Sequence, residues 1–378
     1  MDFNSFLKSL LALGQGQGQV SDLHFKVGSP PLLRIRGSLE PARFNKLTAD
    51  DTKRIATALV REDMRKDIDS VRDYDTSYTM PGEGRFRVSI YRQRETFSIV
   101  LRVISAKIPT IDELKLPDIL KKISMEERGL VLVTGVTGSG KSSTLAAMMN
   151  HVNQNRKGHI ITIEDPVEFL HEHKKGTVHQ RELHSDTPTF ALALRAALRQ
   201  APKVILVGEM RDRDTMEIAL TAAETGHLVL STLHTIDASR TVDRIIGAFD
   251  VGDQLAIRTR LAATFRAFIS QRLIPKRGGG RIPLLEILTS TLRTREYIEK
   301  GDSEGRSLLD AMRDGAMDGM QHFDGEIERL VRAGVISGAV GLQYATNPGN
   351  LRVMMADVNL NDAGAQEDSG IEHGLISQ

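Results

Sequence analysis

The sequence predicts an α/β protein in which a domain with a parallel-rich sheet is preceded by a smaller α+β domain and followed by a helical subdomain. Three observations predict this architecture. A glycine-rich phosphate-binding loop stands between a buried strand and a helix, strands rich in valine and isoleucine alternate with helical segments after it, and period-two strands come before it. A chain of 378 residues also exceeds what one ordinary core buries, which favours at least two domains.

Residues 1–106 are predicted to form the smaller α+β domain. An amphipathic helix begins it, and period-two runs follow as strands at residues 23–27, 32–36, 85–91 and 99–104. Residues 107–118 contain two prolines and no helical period, so we interpret them as a linker and a candidate hinge.

The most specific motif is Gly-Val-Thr-Gly-Ser-Gly-Lys-Ser at residues 135–142, which fits G-x-x-x-x-G-K-[ST] at every fixed position. Main-chain amides and the start of the following helix favour a phosphate anion there. Lys141 can reach the outer phosphates, and the hydroxyl of Ser142 is a candidate Mg²⁺ ligand. The predicted nucleotide-binding residues are Gly135, Val136, Thr137, Gly138, Ser139, Gly140, Lys141, Ser142 and Ser143.

Polar side chains follow three later strands of the predicted sheet. Glu164 follows the strand at 159–163, Glu209 comes just after the strand at 204–207, and His234 follows a strand that begins at residue 228. Ligands of open parallel sheets gather at the carboxyl ends of the strands. We therefore expect the two carboxylates beside the phosphate loop, where they would order Mg²⁺ and polarise a water, and His234 near the γ-phosphate. From the residues alone, each could instead be a solvated group at a strand end.

Arginines on the strands of the first domain are a further set of candidates. A guanidinium group spreads the charge that accumulates on a transferred phosphoryl group. Arg87, Arg94 and Arg102 are therefore predicted to contact nucleotide, and the alternative for each is a surface salt bridge.

After the sheet, residues 291–350 are predicted to form a helical subdomain, with helices at 294–300, 307–316 and 323–333. Acidic residues continue beyond Arg352 without any lysine or arginine. Residues 351–378 are accordingly expected to be a solvated and disordered acidic tail.

Composition limits the classes of partner and chemistry. The net charge is +1 and aromatic residues make up 4%, which disfavours a nucleic-acid translocase with a basic strip or stacking aromatics. The absence of cysteine excludes disulfides, thiolate nucleophiles and cysteine zinc sites, and it suits a reducing cytoplasm. No run approaches the roughly 20 apolar residues of a membrane span, so we expect a cytoplasmic protein with only peripheral membrane association.

With Ile-Glu-Asp-Pro-Val-Glu-Phe at 163–169, Val-Gly-Glu-Met-Arg-Asp at 207–212 and Thr-Leu-His-Thr at 232–235, the chain resembles the PilT/PilU class of type IV pilus retraction motors. This class belongs to the type II/IV secretion ATPase superfamily, and the resemblance covers about residues 1–350. It implies a homo-hexamer whose RecA-like ATPase domains, here residues 119–290, are joined flexibly to PAS-like N-terminal domains. It also implies ATP hydrolysis that drives pilus retraction and twitching motility at the cytoplasmic face of the inner membrane. The implied partners are a membrane-embedded platform protein and a homologous retraction ATPase.

The same resemblance implies roles for individual residues. It makes Glu164 the catalytic base or water-positioning acid, Glu209 the Walker B acid and His234 a residue facing the nucleotide. One departure is Ala-Pro-Lys at 201–203, where the family usually has Asp-Pro-Asp. Another is the partial match of residues 291–298 to a helical motif of the retraction motors. A principal and an accessory retraction motor both fit. The alternatives are an extension or secretion ATPase, which the lack of cysteine and the short first domain disfavour, and a nucleotide-gated scaffold with weak hydrolysis.

Overall fold

The computed structural model describes residues 2–14, 20–80, 84–104, 107–303, 306–358 and 360, and the chain divides into two compact units. The first unit comprises Met1–Ile108, Glu164–Glu172 and Gln180–Thr189. The second comprises Pro109–Ile163, His173–His179 and Phe190–Gln378. The predicted α/β class is confirmed, because an antiparallel sheet and a mainly parallel sheet are both present.

The first unit is built on a six-stranded antiparallel sheet in the order β3-β2-β1-β6-β5-β4. Its strands are β1 (Val20–Phe25), β2 (Leu32–Ile35), β3 (Ser38–Pro41), β4 (Asp73–Met80), β5 (Gly84–Gln93) and β6 (Thr96–Ile104). Helices α1 (Phe3–Gly14) and α2 (Ala49–Leu59) supply core residues, and a 3₁₀ segment covers Glu62–Ser70. Alternate side chains of the strands, among them Phe25 and Phe86, are buried in one hydrophobic core with Leu7 and Leu10 of α1. The opposite face of the sheet therefore carries the polar side chains of these strands.

The second unit is built around a seven-stranded sheet in the order β13-β12-β7-β11-β10-β8-β9. Its strands are β7 (Gly129–Thr134), β8 (Gly158–Glu164), β9 (Gly176–Glu182), β10 (Val204–Val207), β11 (Leu228–Leu233), β12 (Phe265–Pro275) and β13 (Arg281–Thr289). Strands β12, β7, β11, β10 and β8 run parallel, and β13 pairs antiparallel with β12. Every residue of β7, β10 and β11 is buried, as continuous apolar runs in a covered parallel sheet require.

Helices complete the second unit. They are α3 (Ile119–Ser124), α4 (Lys141–Asn155), α5 (Phe190–Ala197), α6 (Arg213–Glu224), α7 (Ala238–Ile246), α8 (Gln254–Thr264), α9 (Leu292–Lys300), α10 (Leu308–Asp314), α11 (Phe323–Arg332), α12 (Gly338–Tyr344) and α13 (Pro348–Met354). Buried residues of α11 and α13 pack with Ile274 of β12 and Leu284 of β13 in a separate hydrophobic cluster. In the part of the chain that the structure describes, no helix has both the length and the apolar character needed to cross a bilayer.

Two segments differ from the sequence-based expectation. Residues 107–118 were predicted to be a linker, but Ile111 and Leu116 are buried in the core of the second unit. These apolar side chains pack most of the segment against that unit. Helix α13 continues past residue 351, where the acidic tail was expected to begin, because Leu351 and Met355 are buried. Residues 359 and 361–378 of that expected tail lie outside the described residues.

Candidate nucleotide-binding site

The phosphate-binding loop lies between β7 and α4, as the sequence predicts. Gly135, Gly138 and Gly140 have positive φ angles of 142°, 80° and 92°. Only glycine adopts such angles at little cost, so these three positions set the curvature of the loop. Gly140 is the N-cap of α4, and the first turn of that helix therefore faces the same space as the loop.

Lys141 turns back onto the loop that precedes it. Its ammonium donates hydrogen bonds to the main-chain carbonyls of Gly135 at 2.8 Å and Val136 at 3.1 Å, and the residue is 9% exposed. The ammonium of Lys141 thus lies among main-chain carbonyls of the loop. Ser142, the next residue, is exposed.

Glu209 and His234 lie together where β10 and β11 end. The Nε2 atom of His234 is 3.4 Å from Oε2 of Glu209, and Arg211 forms an ion pair with the other carboxylate oxygen. Only 12% of the Glu209 side chain is exposed, against 55% for His234. The sequence predicts that Glu209 and His234 lie at this edge of the sheet, but Arg211 was not identified from it as the ion-pair partner of Glu209. The signal was available, since Arg211 lies two residues from Glu209 in the same motif.

Hydroxyl groups on β11 hold the chain that leads to Glu209. Ser231 donates to the carbonyl of Val207 at 2.7 Å, and Thr232 donates to the carbonyl of Gly208 at 2.7 Å. The register pairs Val207 with Ser231 and Leu233 of β11 with Thr134 of β7. The loop after β7, His234 after β11 and Glu209 after β10 consequently lie at the carboxyl ends of three neighbouring parallel strands.

Glu164, the last residue of β8, forms hydrogen bonds with two residues of the first unit. Its Oε1 atom accepts a hydrogen bond from Nε2 of Gln180 at 3.1 Å, and its main-chain carbonyl accepts from the amide of Leu183 at 2.9 Å. Nearby, buried Glu182 accepts from the amide of Val167 at 2.9 Å and pairs with Arg85. The segment that follows Glu164 is thereby fastened to β5.

The three candidate arginines of the first unit do not form one group. Arg87 of β5 and Arg102 of β6 are direct cross-strand neighbours, and both are exposed. Arg94 lies beyond the end of β5 in the turn to β6, whereas Gln93, the last residue of β5, is about 20 Å along the strand from Arg87 at about 3.3 Å per residue. The structure therefore places Arg87 and Arg102 together and Arg94 apart from them.

Asp22 of β1 fixes the position of Arg102. The residue is 4% exposed; its carboxylate accepts from Nε of Arg102 at 2.9 Å and from the hydroxyl of Ser21 at 2.8 Å, and it forms an ion pair with Nε of Arg34 at 3.2 Å. Burial raises the pKa of Asp22, but the hydrogen bond from Ser21 and the charge and hydrogen bond of Arg102 outweigh it, so the pKa is lowered. Asp22 is thus an anion that orients two surface arginines.

A buried carboxylate contacts the start of α7, the helix that follows His234 in the chain. Glu286 of β13 is 4% exposed, and its Oε1 atom accepts from the amide of Ala238, the first residue of α7, at 2.8 Å. Burial raises the pKa of Glu286 to about 7, although the hydrogen bond from Ala238 opposes it; Asp237 raises the pKa further and Arg272 lowers it. The helix that follows His234 is therefore anchored on an acid that titrates near neutral pH.

The substitution Glu286→Gln is expected to remove a pH dependence of stability. Because the folded-state pKa of about 7 exceeds the ordinary 4.5, the stabilising effect of protonation is complete below about pH 4.5 and is lost as pH rises through 7. The free energy of unfolding of the parent relative to the variant should fall by about 3 kcal/mol over this range. Urea unfolding of both proteins between about pH 5 and 8 measures the difference, in which other titrating groups cancel. A difference that does not change with pH would contradict the raised pKa.

The oxygen donors at the loop fit a hard divalent cation. The hydroxyl of Ser142 and the carboxylate of Glu209 are the kinds of ligand that Mg²⁺ takes, and this ion keeps several of its waters when it binds a nucleotide. Among the described residues, no group of three or more histidine, aspartate or glutamate side chains is arranged to hold a metal ion by itself. A cation would thus depend on phosphate oxygens and water for most of its ligands.

The chain was compared with protein families, with individual relatives and with solved structures, and the three comparisons agree. Residues 77–306 match the family described as "Type II/IV secretion system protein". The chain is 42% identical to the type IV pilus retraction ATPase PilT of Pseudomonas aeruginosa over 91% of this chain and 99% of that protein, and 38% identical to the type IV pilus ATPase PilU of the same organism over 96% and 94%. A crystal structure of the pilus retraction motor PilT with bound ADP superposes with a TM-score of 0.84 at 39% identity, covering 94% of this chain and all of the other.

Proposed function

This chain belongs to the type II/IV secretion system protein family, and we propose that it is an ATPase that powers the retraction of type IV pili. The observation that carries the proposal is the convergence of the phosphate loop, Glu209 and His234 at the ends of β7, β10 and β11. This arrangement supplies a phosphate-binding loop, an acid and an imidazole at one edge of a rigid sheet, which is where α/β proteins bind nucleotides.

Each residue of this edge has a separate task in the proposed reaction. Loop amides and the first turn of α4 bind the phosphates of ATP, and Lys141 exchanges its contacts with loop carbonyls for contacts with phosphate oxygens. Glu209, held by Arg211 and His234, orders the waters of a divalent cation. Ser142 would hold Mg²⁺, whose positive charge would offset the negative charge on the phosphoryl group. Glu164 orients the attacking water and accepts its proton.

We also infer that the chain works as a ring of identical subunits on the cytoplasmic side of the inner membrane, where it acts on a platform protein of the pilus. Its similarity to both PilT and PilU supports a role beside a second retraction ATPase as well as a role alone. Hydrolysis would be converted into movement between the two units, with the connection near residue 108 as the hinge.

We infer that arginines of the first unit, from the same or a neighbouring subunit, contact nucleotide phosphate. Arg102→Ala is expected to raise KM for ATP about tenfold, because one charged hydrogen bond to phosphate is lost. Arg94→Ala should change KM by less than about twofold, since Arg94 lies apart from Arg87 and Arg102. Steady-state phosphate release over a range of ATP concentrations measures both. Equal effects of the two substitutions would contradict the assignment.

The direction of force is tested in cells. Deletion of the gene should leave excess surface pili that do not retract and should abolish surface spreading, and expression of the parent gene should restore both. A strain that lacks surface pili after the deletion would indicate an extension motor. Phosphate release by the purified chain tests the enzymatic part independently, and a chain that binds ATP without releasing phosphate would be a nucleotide-gated scaffold.

A further inference from the structure

A glutamine on a neighbouring strand contacts the phosphate loop from inside the protein. Gln271 of β12 is 3% exposed, its Nε2 donates to the main-chain carbonyl of Ser139 at 2.7 Å, and its Oε1 accepts from the hydroxyl of Thr144 at 2.7 Å. We propose that Gln271 is a positioning residue that holds the peptide between Ser139 and Gly140 in the orientation that binds phosphate. This inference rests on the proposed nucleotide-binding function.

The chemistry of the two partners fixes the orientation of the amide. A main-chain carbonyl can only accept a hydrogen bond, so the NH₂ group of Gln271 must face Ser139. The hydroxyl of Thr144 must then donate to Oε1. Both ends of the buried amide are used, and a rotation by 180° would place oxygen against oxygen at Ser139. The side chain therefore has one stable arrangement.

This hydrogen bond determines the direction of a loop amide. The peptide group is planar and trans, so the carbonyl of Ser139 and the N–H of Gly140 point in opposite directions. Since Gln271 holds the carbonyl towards β12, the N–H of Gly140 points away from β12. Amides of the loop are the groups that bind phosphate, and their directions must be set before binding for the affinity to be high.

The main chain at Gln271 restricts the same loop at its other end. A Cβ atom placed on Gly135 would lie 2.4 Å from the carbonyl oxygen of Gln271, and one placed on Gly140 would lie 2.7 Å from its Nε2. Strand β12 is itself fixed between β7 and β13. The position of Gln271 thus sets the shape of the loop through both its side chain and its backbone.

The test compares Gln271→Leu with a matched control on the same strand, Ser270→Ala. Ser270 accepts a buried hydrogen bond at 3.0 Å from the hydroxyl of Thr134, which precedes the loop segment from Gly135 to Gly140. Equilibrium binding of ADP to the full chain should be about tenfold weaker for Gln271→Leu and unchanged for Ser270→Ala. Urea unfolding without nucleotide should show a comparable loss of stability for both, which separates positioning from a general loss of packing.

A second variant keeps the test decisive if Gln271→Leu does not fold. Thr144→Val removes only the hydroxyl that fixes the amide, and it should bind ADP about threefold to fivefold more weakly than the parent, a loss that is measured without Gln271→Leu. In the double variant the two losses should be less than additive, since both act on one amide. ADP affinity within about twofold of the parent in both single variants would overturn the inference. If the parent binds ADP but releases no phosphate, hydrolysis is refuted while the positioning role stands or falls on these affinities.

Discussion

Replacing Glu164 with glutamine is expected to lower steady-state phosphate release by about a thousandfold while ATP affinity stays within about twofold of the parent. The substitution conserves the shape of the side chain and keeps an oxygen for the hydrogen bond from Gln180. It removes the negative charge and the ability to accept a proton from the attacking water. A residue that acts only on this water should change kcat and leave the binding of the phosphates unaffected.

The matched control for this prediction is Glu172→Gln. Glu172 is an exposed carboxylate in the same unit and in the same segment, eight residues further along the chain. Its substitution should leave both turnover and affinity at parental values. If Glu164→Gln retained turnover within about tenfold of the parent, another group would have to orient the water. If it lost ATP affinity as well as turnover, Glu164 would serve binding rather than the chemical step.

The sequence predicted the phosphate loop and its neighbouring strands well because these features are local or strongly patterned. Glycine spacing specifies the loop, and buried parallel strands such as β7 and β10 contain continuous apolar runs. The rule that ligands gather at the carboxyl ends of parallel strands then brings Glu209 and His234 to the correct edge. Their pairing at 3.4 Å follows from strand order, which the pattern alone does not specify.

Strands with weak patterns were not predicted. All four residues of β3 are exposed, so it has no buried face to produce an alternation. Strand β12 is almost entirely buried, but arginine, serine and glutamine interrupt its apolar run. Long-range contacts explain why polar residues stand in this strand, and a local pattern does not show such contacts. Gln271, for example, donates to a loop residue 132 positions earlier in the chain. The sequence signal for such a contact was the polar pair Ser270 and Gln271 inside an apolar run.

The arginines of the first unit also show that a local sequence pattern does not predict which residues are neighbours in space. In the sequence analysis, Arg87, Arg94 and Arg102 form one group because all three were predicted on strands of the first domain. Their positions in space depend on the hairpin between β5 and β6. In that register Arg87 faces Arg102 across the strands and Arg94 falls in the turn. The buried partner of Arg102, Asp22, is 80 residues away and could only be found from the sheet order.

The substitution Gly135→Ala is expected to weaken ATP and ADP binding by at least about a hundredfold, whereas Gly138→Ala should weaken it by about tenfold or less. Both glycines have positive φ, and an L-residue in a left-handed conformation costs about 1 to 2 kcal/mol. At Gly138 no heavy atom lies within 4 Å of the added Cβ, so backbone strain is the only penalty. At Gly135 the added atom would also lie 2.4 Å from the carbonyl oxygen of Gln271 and 2.6 Å from the hydroxyl of Ser139.

The difference between the two variants isolates the effect of β12 on the loop. Gln271 is paired with Leu285 of β13 and directly follows Ser270, which is paired with Thr134 of β7, so its carbonyl cannot withdraw without disturbing these ladders. The loop must move instead, and its displacement carries the carbonyls that hold Lys141 and the amides that follow them. Equilibrium nucleotide binding measures the effect, and circular dichroism checks that both variants fold. Equal losses at the two positions would show that backbone strain, and not contact with β12, controls the loop.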